Sequence, residues 1–375
     1  MLQRCHTIFD LREEARQKLP APIFDVLDGG AESETTARRN TLAFDDIKLI
    51  PRVLVNVERV STQTRILGQS VEWPVLCSPA GGLRLFHVDG EIAAARAAAK
   101  TGTLFGLSTV STCSIEDVAA ASPGPKLFQL YVCKDRDLTQ SLIARAKRSG
   151  YGALCVTADT PVAGKWERDL RSAVFGPKRE WPWRTLMGFA RHPLWALQRQ
   201  GKHAIAIANF RGENEVGPSV PFELNPAVTF KELRDVADFW GGPLALKGVL
   251  SPDDARRAAD AGVTAVIVSN HGGRQLDGAT ASIEALPQIV RAVGDRVEVI
   301  LDSGIRRGVH ILKALACGAK ACSIGRSYLY GLGAAGEQGV VWALEILRME
   351  LVRSMRLAGC ADLASIDASL IGAAL

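Results

Sequence analysis

The sequence predicts a single (β/α)8 TIM barrel, and three observations carry that prediction. From about Val71 onward, eight short apolar runs alternate with stretches of helical spacing almost to the end of the chain. The runs are nearly continuous in apolar residues rather than alternating, as parallel strands buried on both faces require. Polar residues recur where the runs end, and no Gly-x-Gly-x-x-Gly follows the first of them, which sets the pattern apart from a doubly wound open sheet.

In chain order, residues 7–19 carry helical spacing (Ile8, Leu11, Ala15, Leu19) and stop at Pro20; a second short helix, 22–28, stops at Gly29-Gly30. The expected strands are 74–80, 104–108, 127–131, 153–159, 244–249, 265–270, 297–303 and 321–326. Helices are expected at 90–100, 115–121, 138–149, 252–261, 282–293 and 307–317, and a long one at about 336–358 covers the outside or packs on a neighbour. The barrel then occupies about 71–330 of one domain, 1–375. The segment 160–242 is far longer than an ordinary strand-to-helix connection. Residues 165–211 hold ten basic residues against three acidic ones, an excess above the +5 of the whole chain, together with Trp166, Trp181, Trp183, Phe189 and Trp195. That mixture fits a lid or subunit contact as well as a peripheral contact with an anionic membrane.

Composition sets the outer limits. With 375 residues, 47% of them hydrophobic, and a mean hydropathy of +0.08, the chain can bury a large core. No apolar run approaches the roughly 20 residues of a membrane-spanning helix. The segment from Met1 to Asp10 returns to charge before an export signal core could form, so a cytoplasmic protein is expected, with any membrane contact peripheral at the inner face. A net charge of +5 does not point to nucleic acid. None of the eight cysteines has metal-site spacing, so structural thiols and no metal are expected.

The chemistry concentrates in Ser269-Asn270-His271-Gly272-Gly273-Arg274-Gln275-Leu276-Asp277, directly after the run Ala265–Val268. His271 can take a proton near neutral pH, and Arg274 can grip a carboxylate, which together suit the oxidation of a hydroxy acid. At the exits of the last two strands, Asp302-Ser303-Gly304-Ile305-Arg306 and Gly325-Arg326 place glycine and arginine where barrels of this class bind phosphate.

These residues resemble the FMN-dependent α-hydroxy acid dehydrogenase and oxidase family. The resemblance rests on Ser269–Asp277 (SNHGGRQLD), Leu127–Tyr131 (LFQLY), Thr157–Pro161 (TADTP), Lys247-Gly248 and Asp302–Gly308 (DSGIRRG), and it runs from about Phe9 to Ile371. It is strongest toward bacterial L-lactate and mandelate dehydrogenases, which share an element like His192–Trp195. The resemblance implies FMN as cofactor and oxidation of a 2-hydroxy acid to a 2-oxo acid, with the α-hydrogen leaving as hydride or as a proton. It assigns His271 as base, Asp159 as stabiliser of the imidazolium, Arg274 as carboxylate anchor and Tyr131 as a hydrogen-bond partner of the substrate oxygens. Lys247 is implied beside the flavin ring, with Ala80, Ser108, Gln129, Thr157 and Ser269 along the ring and ribityl chain. Asp302, Gly304, Arg306, Gly325 and Arg326 are implied at the ribityl and phosphate end. A homotetramer is implied as well. The electron acceptor stays open among oxygen, a quinone and a cytochrome.

Two positions depart from the family pattern. Val26 stands where a substrate-binding tyrosine is usual, and Trp166 where an arginine is usual after the fourth strand. Both changes remove polar contacts at the carboxylate end, so a substrate bulkier than lactate is expected, packed on Val26 and Trp166. Arg168, two residues on, would face the same way in an extended segment and compensate. The alternatives are an ordinary lactate or mandelate dehydrogenase, a non-redox FMN isomerase, and an FMN protein without catalysis of its own.

Overall fold

Eight short runs rich in Leu, Val, Ile and Ala pair side by side into a closed parallel barrel in the computed structural model, which describes residues 2–198, 205–210 and 223–372. The barrel strands are β1 (Val75–Ala80), β2 (Leu104–Ser108), β3 (Lys126–Leu130), β4 (Ala153–Thr157), β5 (Leu244–Val249), β6 (Ala265–Val268), β7 (Glu298–Asp302) and β8 (Ala321–Ile324). They follow in chain order, and β8 closes the ring on β1 with Cys322 beside Val75 and Ser323 beside Leu76.

Successive side chains on a strand point to opposite faces, so each strand feeds two cores. Leu76, Leu104, Leu127, Ile267 and Ile300 fill the interior with small residues such as Ala153 and Ala245. Ile66, Leu67 and Val71 of the antiparallel hairpin Thr64–Ile66 and Gln69–Val71 join the same cluster, which closes the N-terminal end of the barrel. Their neighbours Phe105, Phe128 and Leu154 point outward, to the core shared with the surrounding helices. The eight cysteines are free thiols, and all but Cys317 are buried.

Helices Gly90–Lys100, Ile115–Ala121 and Ser282–Val293 lie where the spacing predicts them. The strands stop short of several expected ends: Tyr131, Asp159, Asn270, Ser303 and Arg326 fall just past them. Their side chains are thereby released from the pleat to turn over the barrel mouth. The stretch Arg326–Leu357 is two helices that meet where Ala335 and Gly336 leave helical geometry; the second is the one expected at about 336–358, and the first, which starts directly from β8, was not expected. Within the long connection, Phe230–Trp240 supplies the helix between β4 and β5, capped by Thr229 and Glu232 and ended by left-handed Gly241.

One unexpected helix, Thr35–Leu42, sits over the C-terminal mouth. Asn40 and Asn270 exchange side-chain amide hydrogen bonds of 2.8 and 2.7 Å, and the Thr36 backbone N–H donates to Asp277 at 2.8 Å. A Cβ on Gly273 would stand 2.4 Å from the Ala37 backbone nitrogen, so glycine is what allows this close approach.

Candidate active site

His271 opens a tight turn. It has φ +58°, and Gly272 and Gly273 continue in the left-handed region. For a non-glycine residue that conformation costs roughly 1–3 kcal/mol and persists only when its surroundings fix it. Two bonds do so here: the His271 backbone N–H donates to Ser269 Oγ at 3.0 Å, and its Nδ1 lies 2.9 Å from Asp159 Oδ1. Asp159 approaches over Gly248, where a Cβ would stand 2.6 Å from its own Cβ. Burial alone would raise the Asp159 carboxyl, but the charges of His271 and Lys247 outweigh it and hold it below the usual range. With Nδ1 engaged by Asp159, Nε2 is the ring nitrogen left to exchange a proton with a ligand in the cavity.

Behind this pair is a buried chain of bonds. Lys247 Nζ donates to Ser269 Oγ at 3.1 Å, and Ser269 Oγ donates to Asp302 Oδ2 at 2.6 Å. Lys247 and Asp302 also stand 3.5 Å apart as an ion pair. Burial opposes both charges, yet the Lys247 ammonium is held above its usual range by Asp302 and Asp159, and Asp302 below its own by Lys247 and Ser269. Both therefore stay ionised. Burial pushes the Tyr131 hydroxyl up to about 12, so it remains a donor at working pH.

At the other side of the mouth, Arg274 Nη1 donates to the carbonyls of Val26 and Gly29 at 3.0 and 2.9 Å. Its guanidinium carbon lies 4.6 Å from the centre of the Trp166 ring, whose Nε1 donates to the Arg274 carbonyl at 2.7 Å. Burial, and then the charge of Arg326, draw Arg274 down to about 10, so it stays cationic. Arg326 donates to Gly272 O at 2.8 Å and Gly29 O at 2.6 Å.

These groups face one cavity of about 530 Å³ at the C-terminal end of the barrel. Of the expected site residues, Val26, Ala80, Tyr131, Trp166, Lys247 and His271 line it. So do Arg274, Asp302, Gly304, Arg306, Gly325 and Arg326. Ser108, Gln129, Thr157 and Ser269 are buried at the strand ends, with Ser108 Oγ donating to Gln129 Oε1 at 2.9 Å. Among the expected substrate-binding residues Arg168 is the exception: it pairs with Asp28 at 3.1 Å and with Glu34, and it does not line the cavity. The chain turns helical at Glu167, directly after Trp166. Two residues along a helix rotate a side chain by about 200°, not back to the same face.

Gln275 had no role assigned from sequence, although it lies within the motif. Its Nε2 donates to the carbonyls of Asp159 at 2.9 Å and Val162 at 3.0 Å, and its Oε1 accepts from Gly164 N at 3.0 Å. It staples the loop of Asp159 to the loop of His271 and draws Trp166 over Arg274. Phe175, Ile207 and Leu224, from the long connection, also wall the cavity. No sequence period marks them, because their side chains meet only through the connection's fold.

The family comparison can now be set beside this geometry. Residues 15–373 match the model of the FMN-dependent dehydrogenases. The chain belongs to the FMN-dependent dehydrogenase family. It is 42% identical over 370 residues to an L-lactate dehydrogenase of Caulobacter vibrioides, with 96% of each chain covered. To an L-lactate oxidase of Nostoc sp. it is 43% identical over 368 residues, with 97% of each chain covered. Its fold matches the crystal structure of a monotopic membrane protein, (S)-mandelate dehydrogenase, at a TM-score of 0.93 and 37% identity, covering 99% of this chain and 100% of that one.

The protein is thus an FMN-dependent α-hydroxy acid dehydrogenase or oxidase, acting on a CH–OH group. Its cavity suits that cofactor. The buried donors Gln129 Nε2 and Arg326 Nε have no partner within the described chain, and a Cβ at Gly325 would meet only open space. A flavin ring and a phosphate, both rich in acceptors, answer those donors.

Proposed function

We propose that the protein oxidises a 2-hydroxy acid bulkier than lactate to the 2-oxo acid, with His271 as base and Arg274 as the anchor of the acyl group. The observation that carries this reading is the pair of walls at Arg274: Val26 and Trp166 both line the cavity beside it. Two polar side chains expected in the family pattern are thereby replaced by apolar surface. Phe175, Ile207 and Leu224 extend that surface outward.

FMN, when bound, supplies the two-electron acceptor. His271 takes the hydroxyl proton at Nε2, and Asp159, ionised and in contact with Nδ1, stabilises the imidazolium. Tyr131 donates to a substrate oxygen. Lys247 holds a positive charge toward the flavin site, which favours negative charge developing there. Arg306 and Arg326 take the phosphate, with Gln129, Ser108, Thr157 and Ser269 along the flavin.

Anaerobic titration of the purified holoenzyme with lactate, mandelate and long-chain 2-hydroxy acids tests the reading through the oxidised-flavin absorbance. A bulky acid is expected to bleach the flavin at least about tenfold faster than lactate, the scale of one lost charge-assisted hydrogen bond. Equal rates with lactate and mandelate would return the protein to an ordinary dehydrogenase of this family. A flavin that no hydroxy acid reduces would point to a non-redox use of the site.

A second reading concerns the membrane. No helix among the described residues is long and apolar enough to cross one. Helix Trp183–Ala190 packs on helix Ala21–Asp28 through Gly188, where a Cβ would lie 2.9 Å from Pro22. Trp183 (71% exposed), Leu186, Leu194 (67%) and Leu197 point to solvent beside exposed Arg184 and Arg191. Trp181 instead stacks on Phe189 at 4.7 Å, and Trp195 lies tilted against the same ring at 5.2 Å, which holds the segment together. Of the ten cations in 165–211, Arg199, Lys202 and Arg211 lie outside the described residues. We infer that this apolar and basic surface rests on an anionic bilayer. Co-sedimentation with vesicles containing phosphatidylglycerol is expected, and Trp183→Asp with Leu194→Asp is expected to abolish it while flavin reduction continues. Equal sedimentation of the double variant would overturn the reading.

A further inference from the structure

Four cations line the cavity among the described residues: Lys247, Arg274, Arg306 and Arg326. Lys247 is ion-paired with Asp302 and belongs to the flavin side in the reading above. Arg306 and Arg326 belong to the phosphate end in the reading above, on which this inference rests. Arg274 is left as the one cation for the substrate's acyl group, and its surroundings reduce what it can offer an anion. Nη1 already donates to two backbone carbonyls, and one face of the guanidinium is covered by Trp166.

A carboxylate also stands close to Arg274. Asp169 is 7% exposed, its Oδ2 is buried with no hydrogen-bond partner, and it interacts electrostatically with Arg274. Burial pushes its carboxyl up to about 6, and the charge of Arg274 pulls against that rise. The anchor therefore has two of its N–H groups engaged, one face covered, and a buried carboxylate nearby. An arriving carboxylate meets a cation that is already opposed, while a neutral carbonyl oxygen needs only the free guanidinium N–H groups.

We propose that this site does not require a carboxylate and takes 2-hydroxy compounds whose acyl group is neutral, an amide or an ester, about as well as the corresponding acids. The class extends the substrate from free 2-hydroxy acids to 2-hydroxyacyl groups carried on a larger molecule. Such a molecule finds room along the apolar wall of Val26, Trp166 and Phe175.

The test is a binding measurement that needs no turnover. Benzoylformate and benzoylformamide are titrated into the oxidised holoenzyme, and their dissociation constants are read from the shift of the flavin absorbance. The two constants are expected within about tenfold of each other, close to the gap between one charge-assisted and one neutral hydrogen bond. A preference for the acid above about thirtyfold overturns the proposal. Asp169→Asn removes the opposing charge with little change of shape and is expected to move the ratio toward the acid by about tenfold or more. Trp166→Arg is expected to move it the same way. An unchanged ratio in a flavin-loaded Asp169→Asn protein overturns the role of that carboxylate.

Turnover separates this inference from the reading beneath it. Flavin bleaching by mandelate but not by mandelamide overturns the inference alone; bleaching by neither overturns both.

Discussion

His271→Gln is expected to slow flavin reduction by about 10²–10⁴-fold, the usual range for loss of a positioned base. Glutamine retains polarity and approximate size but cannot take a proton, so the hydroxyl proton has no destination. Cofactor loading is expected to stay near that of the unmodified protein, because the unpartnered buried donors Gln129 Nε2 and Arg326 Nε belong to other strand ends. Stopped-flow reduction of the variant by its best 2-hydroxy acid, beside a measurement of bound flavin, checks both halves. A rate within tenfold of the parent, with flavin fully bound, would remove His271 from the chemistry. Asp159→Asn is expected to follow in the same direction with a smaller fall, since it leaves the base present but takes away the charge that stabilises the imidazolium.

Lys247→Met is expected to cost about 3–5 kcal/mol of stability, the scale for removing one member of a buried ion pair. Lys247 and Asp302 are both almost fully buried at 3.5 Å, so the lost ammonium leaves Asp302 ionised without its main counter-charge. Urea unfolding of the holoenzyme measures the loss. Asp302→Asn added to Lys247→Met is expected to recover part of it, which separates an uncompensated charge from a packing defect. The sign of the pH dependence follows from the same pair. Asp302 and Asp159 are held below their ordinary value of 3.8, so the unfolded chain binds protons more readily than the folded one. Their contribution is complete above that value and is lost as pH falls through it toward the lower folded values. Acid unfolding of the parent protein is expected to steepen in this range, and Lys247→Met is expected to flatten it.

Much of the architecture could be read along the chain because its causes are local. Continuous apolar runs mark strands buried on both faces, and the glycines after Val268 and Asp302 mark sharp exits at one end of a barrel. The helix Phe230–Trp240 also had a local signature, Thr229 with Glu232 before it and Gly241 after it. It was hidden because the whole segment 160–242 reads as one interruption. Phe175, Ile207 and Leu224 had no such signature, and neither did Asp169, a carboxylate on a short helix that sequence alone places on the surface.

The sequence by itself determined the barrel, the family motifs and the chemical types at the cavity, since each depends on residue identity and short spacing. Only the tertiary structure decided that Arg168 would be captured by Asp28 and Glu34 while Trp166 lay against Arg274. That outcome turns on where the extended loop after β4 becomes helix, and on Gln275 tying it to a loop more than a hundred residues further along the chain. Such contacts are chosen by the closure of the barrel, which brings strand ends together irrespective of their distance in sequence.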